Sequence, residues 1–265
     1  MEFLKIVKRR SFVNEVIYIA LNIGLAISLL VIIRVTGSIL PAFALVLLSK
    51  WRVLAVRWRF WAANIQANLV SVIVDFSFIV LLYNSNLTNI GSLRNYIFQA
   101  ILVALYICWL LILRPQSKRK YIVAQAGVAL FIGITAIYLM SYSWIALPVV
   151  LLVWLVGYAT ARHVLSSYDE SHVILLSLAW GLVVSEIGWL AYHWTIAYRL
   201  PIMTNILLPQ VSIIILCLGF LVYKIYDSYF HHNRIRISDI ILPLLFTVSI
   251  VMVLMLGFNG ISSGI

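Results

Sequence analysis

The sequence predicts an all-α fold: a polytopic transmembrane helical bundle of about nine spans, N-terminus cytoplasmic and C-terminus outside. Three observations predict it. Hydrophobic residues make up 64% of the 265 and charged residues 10%, with a mean hydropathy of +1.08, whereas a soluble domain is nearer half apolar and a quarter charged. The apolar residues are gathered into runs about as long as the ~20 residues that cross ~30 Å of hydrocarbon. Lysine and arginine are segregated onto alternate loops, as the positive-inside rule requires.

The runs fall at 13–33, 36–50, 62–83, 95–113, 121–140, 145–161, 173–197, 205–223 and 238–257. Together they fill the chain, so a single integral membrane domain over 1–265 is expected, with no room for a separate soluble domain. Lys5, Lys8, Arg9 and Arg10 precede the first run and no A-x-A site follows it, so it reads as a retained helix. Run 36–50 is the weak one. From Thr36 to Ser49 it covers only ~21 Å at helical rise, and the choice is between a full crossing extended by Lys50 and Trp51 and a re-entrant segment. A full crossing is expected, because otherwise the basic stretch after Ser49 lands outside.

Of the 19 lysines and arginines, 16 lie in loops on the N-terminal side and three, Arg34, Arg94 and Arg199, on the other. The net charge of +11 therefore needs no nucleic acid. It is the bias that orients a multi-pass protein of the cytoplasmic membrane, with the lipid bilayer and its anionic lipids as counter-charge. Pro41, Pro148, Pro209 and Pro243 each follow a leucine near the start of a run, where a missing N–H costs least. Cys108 and Cys217 lie inside apolar runs without metal or redox spacing, so they read as core residues and no cofactor or metal is expected.

Chemistry is confined to few residues. Asn64, Asn68, Ser71 and Asp75 are spaced four, three and four apart, which places them on one stripe of the third span. Lipid cannot solvate such a stripe, so it either bonds neighbouring helices or lines a polar path. Glu186 in the seventh span has Trp189 and His193 on its own face. Both acids lie about 20 Å from the inner ends of their spans. With no lysine or arginine inside either span, one or both are expected to have a raised pKa or to share a proton, a cation or a partner such as Arg34 or Arg94, with His193 as a relay outward; the other reading is that each acid is protonated and hydrogen-bonded and His193 belongs to the aromatic rim with Tyr192 and Trp194. Between Lys50 and Arg59, the residues Lys50, Trp51, Arg52, Arg57, Trp58 and Arg59 form a candidate contact for anionic lipid headgroups, or a plain topology signal.

Other patterns carry less. His163, Asp169, Glu170, His172, His231 and His232 are metal-binding types at spacings that fit no standard site, and Ser167-x-x-Glu170 reads as a helix capping box. Gly260-Ile261-Ser262-Ser263-Gly264 matches a nucleophile elbow but lacks the strand and helix that such a turn needs. No catalytic signature remains. The leading function is a small permease or channel-like protein whose candidate ion site is Asp75, Glu186 and His193, approached along Asn64, Asn68 and Ser71. Two alternatives stay open: a non-catalytic membrane subunit or scaffold with a membrane-protein partner or a second copy, and an enzyme on lipid-linked substrate at the inner interface.

Overall fold

The computed structural model describes residues 2–51, 55, 57–87, 93–168, 170–193, 197–200 and 203–257. Arg52, Asp169 and the Gly260–Gly264 pattern lie outside them. Nine helices run through the described residues: α1 (Glu2–Thr36), α2 (Leu40–Ser49), α3 (Trp61–Leu87), α4 (Leu93–Cys108), α5 (Arg119–Met140), α6 (Ala146–Leu165), α7 (Val173–His193), α8 (Gln210–His232) and α9 (Ile237–Gly257). All but α2 contain a stretch long and apolar enough to cross a membrane, and the chain is an all-α multi-pass membrane protein. It divides into two compact units, Met1–Gln125 with Leu200–Ile206, and Ala126–Arg199 with Leu207–Ile265.

In the first unit, α1, α2, α3 and α4 pack around a core of Leu29, Ile33, Val46, Val74, Ile79, Tyr106 and Leu110, all fully buried. Gly37, at φ +60, ends α1 with its N–H bonded to the Ile33 carbonyl, the left-handed stop that glycine adopts without strain. The chain reverses there into α2, where Pro41 occupies the first turn.

The helix of α2 is only ten residues, about 15 Å at 1.5 Å per residue, too short by itself to cross the hydrocarbon. The far ends of α1 and α3 lie side by side: Asn86 Nδ2 donates to the Ile33 carbonyl at 3.3 Å, Arg34 Nε to Gln99 Oε1 at 2.8 Å, and Gln99 Nε2 to Ser85 Oγ at 3.2 Å. Two helices that run in the same direction must be joined by a return path of full depth. The described part of that return is α2 through Ser49, the Lys50 that caps it, and a 3-10 turn at Trp58–Phe60. Of the expected second span, 36–50, α2 covers Leu40–Ser49, and Lys50 at its end finds a partner in the core.

Helix α4 passes into a π-helical turn at Trp109–Leu113, closed by Arg114 N–H on the Trp109 carbonyl. Such turns are rare and cluster at functional sites. In the second unit, α6 and α7 make a close antiparallel pair through small residues. A Cβ on Gly157 would lie 2.9 Å from Val184 Cβ, and one on Gly188 2.9 Å from Val153 Cγ1. Tyr138 Oη donates to the Gly188 carbonyl at 2.5 Å. Helices α8 and α9 pair around the left-handed Asn233 at φ 50.

Three boundaries differ from expectation. Run 173–197 ends at His193, and β1 (Ala197–Leu200) pairs with β2 (Met203–Pro209) in a two-stranded sheet. The next helix therefore begins at Gln210 rather than 205, because Pro209 is extended and caps it. Apolarity alone does not distinguish a short strand from a helix turn. Helix α8 continues nine residues beyond 223 to His232, and Pro243 sits inside α9 rather than in its first turn.

Candidate functional site

The site is built where α2 ends. Lys50 follows the last helical residue, its N–H bonded to the Val46 and Leu47 carbonyls, so its side chain leaves the helix at the negative end of the backbone dipole. The ammonium lies 2.6 Å from Asp75 Oδ2 and donates to Ser71 Oγ at 2.9 Å. Both charged residues are deep in protein, Lys50 7% and Asp75 1% exposed. Asp75 is fourteen residues past Trp61 in a 27-residue helix, about 21 Å along it, so the pair sits at the middle of α3.

The pair is not closed. The other carboxylate oxygen, Asp75 Oδ1, makes no hydrogen bond of good geometry, nor do the buried Tyr106 Oη on α4 and Trp109 Nε1 in the π turn. The Tyr106 phenol lies within hydrogen-bonding reach of the Asp75 carboxylate and feels its charge, and its ring packs on Phe78 with centroids 5.0 Å apart. On the other side of Asp75, Phe43 of α2 packs against Phe76 at 4.7 Å. Arg114, just beyond the π turn, adds a repelling positive field at Lys50. The local chemistry is a mid-depth carboxylate with a phenol beside it and a lysine as its resident counter-charge.

The Asn64–Asp75 stripe is one face, as its spacing predicts. Asn68 Nδ2 donates to the Asn64 carbonyl at 2.8 Å, and Lys50 links Ser71 to Asp75. Asn64, Asn68 and Ser71 are half-buried and Asp75 is buried, so burial deepens along the stripe. The expected partners of Asp75 are corrected. Arg34 is held by Gln99 and lies 4.6 Å over the Tyr96 ring, and Arg94 is exposed at the start of α4. Lys50 takes the role because α2 ends beside the middle of α3. For the same reason Lys50 turns inward, away from a headgroup position, whereas Trp51, Arg57, Trp58 and Arg59 are exposed.

Glu186 and His193 belong to the second unit. Both are exposed within it, and the His193 ring packs edge-on to Trp189 at 5.0 Å. At the ends of α6 and α8, Tyr168 Oη donates to Asp227 Oδ1 at 2.7 Å, Ser228 Oγ to Asp239 Oδ2 at 2.9 Å, and Tyr226 Oη to the Glu170 carboxylate. Glu170 also accepts from the Ser171 and His172 N–H groups ahead of α7. The Tyr226 hydrogen bond, and then these backbone donors, hold its carboxyl below the usual range. Among the described residues no group of three or more histidine, cysteine or acidic side chains could hold a metal ion.

Sequence reasoning missed Lys50 as a core residue, and with it Tyr106 and Trp109. One signal was available: a lysine directly after an apolar run too short to cross cannot reach a membrane surface as helix. No protein-family model, curated protein or solved structure matches the chain.

Proposed function

We propose that the protein is a small permease in which Asp75 binds a proton or small cation in exchange with the Lys50 ammonium. The observation that carries this reading is the buried Lys50–Asp75 pair at the end of a half-length helix, with the Tyr106 phenol beside the carboxylate. A charged pair held out of water is poor value for stability, since desolvation offsets most of its attraction. Ionisable groups at membrane depth mark ion and substrate paths. Broken helices whose C-terminal ends face cations recur in secondary transporters, where one such end coordinates the coupling ion.

Lys50 acts here as a tethered cation. While it occupies Asp75 Oδ2 the site is neutral and closed to other cations. Movement of the end of α2 by the length of one hydrogen bond removes it, leaving Asp75 to take a proton or ion that Tyr106 can orient. The half-buried Asn64, Asn68 and Ser71 then supply polar steps toward the Trp61 end of α3.

The test is flux in proteoliposomes under an imposed potential, for protons, Na⁺ and K⁺ in turn, with an infrared titration of the Asp75 carboxyl. The reading expects a cation-dependent flux that Asp75→Asn abolishes, and a carboxyl signal that changes with the transported cation. Flux equal to that of empty liposomes for all three ions, with a carboxyl signal indifferent to them, would overturn it.

A further inference from the structure

A different face of the molecule carries a second assignment, independent of the Lys50–Asp75 reading. On α7, Leu182, Glu186, Trp189 and His193 are spaced four, three and four apart and share one side of the helix. All four are exposed in their unit, Leu182 by 56% and Trp189 by 50%. Leu190 and Val183 flank them, also exposed. The buried positions of the same helix, Ser177, Gly181, Val184, Ser185 and Gly188, lie against or towards α6. The face is thus the one α7 turns away from its neighbour.

Glu186 is thirteen residues from Val173 and seven from His193, about 20 Å and 10 Å along the helix, well inside the hydrocarbon. Among the described residues it makes no ion pair and no side-chain hydrogen bond. Acyl chains offer a carboxyl nothing, and groups of this kind face protein rather than lipid. A second copy of the chain is a poor occupant. Copies related by a two-fold axis along the membrane normal bring Glu186 to Glu186 at equal depth, which sets like charges together.

We infer that this face of α7 docks a transmembrane helix of another protein that carries a lysine or arginine at the depth of Glu186. The charge complements the carboxyl, the flanking Leu182, Val183 and Leu190 supply apolar contact, and Trp189 and His193 sit toward the membrane end.

The experiment uses the full-length purified protein, labelled with a fluorescent donor, in vesicles of a single zwitterionic phospholipid. The probes are acceptor-labelled synthetic leucine–alanine transmembrane peptides bearing, at the depth of Glu186, one lysine, one glutamate or no charge. The lysine peptide is expected to associate about tenfold more tightly than the uncharged one, the scale of one intramembrane polar contact. Glu186→Gln should remove that difference and Glu186→Lys should transfer the preference to the glutamate peptide. Because Glu186 is exposed, the Gln variant preserves the fold, which its gel-filtration profile in detergent checks. Equal binding of all three peptides, or a lysine preference that persists in Glu186→Gln, overturns the assignment. So does energy transfer between protein copies that depends on Glu186, which would make the occupant a second copy.

Discussion

Removing one member of the Lys50–Asp75 pair should harm the fold far more than removing both. At 2.6 Å two unit charges attract by about 6 kcal/mol at an effective dielectric of ~20. Side-chain exposures of 6% and 2% leave little water to screen them. Each ion has forfeited several kcal/mol of hydration to be there, so the pair as a whole contributes close to nothing net. Lys50→Met strands the Asp75 carboxylate and Asp75→Leu strands the ammonium, and each should cost about 3–5 kcal/mol. The double variant, apolar on both sides, should return to within about 1–2 kcal/mol of the parent. Equilibrium unfolding in mixed micelles, followed by tryptophan fluorescence, gives the three differences and hence a coupling energy that should exceed about 3 kcal/mol. Single variants that each cost under about 1 kcal/mol and add without coupling would mean that Lys50 and Asp75 are hydrated, and the reasoning from burial would fail.

Three other outcomes are expected. Gly157→Leu, and to a lesser degree Gly188→Ala, should lower thermal stability by about 1–3 kcal/mol by forcing α6 from α7, since their Cβ positions lie 2.9 Å from Val184 and Val153; a thermal scan in detergent reads it. Glu170 titrates below the usual carboxylate range chiefly through Tyr226, so its contribution is present above its unfolded pKa and lost as pH falls through the depressed folded value. Tyr226→Phe should move that titration upward, as carbon-labelled glutamate NMR would record. The positive-inside bias, with a crossing of the α2 segment, predicts that tags at the N-terminus and at Ser117 report the cytoplasm and a tag after Ile265 the outside; a cytoplasmic C-terminus would mean that the α2 segment does not cross.

Most of the architecture was legible because hydropathy is a local property. The third span was expected at 62–83 and forms at 61–87, and the fifth at 121–140 and forms at 119–140. The polar stripe was legible for the same reason, since Asn64, Asn68, Ser71 and Asp75 lie on one helix and helical spacing alone aligns them. The partner of Asp75 was not legible, because Lys50 approaches it from a different helix, and its depth depends on where α2 stops rather than on any residue type. Tyr106 was hidden likewise, as one aromatic among many until α4 sets it beside the carboxylate. The strands at 197–209 were read as helix and loop because Ile206, Leu207 and Leu208 are apolar in either conformation, and only Pro209 marks the change.

The shortness of α2 and the burial of the lysine at its end also constrain how the protein is made. A ten-residue helix followed by a charged segment is a weak substrate for the insertion machinery, which partitions each segment largely by its own apolarity as it leaves the ribosome. When Lys50 is synthesised, the aspartate that neutralises it is still 25 residues away in the chain. The return strand of the first hairpin therefore cannot settle at its final depth until α3 has emerged to receive it. Burial of Lys50 as an ion pair thus requires that α3 be in place to receive the segment made before it.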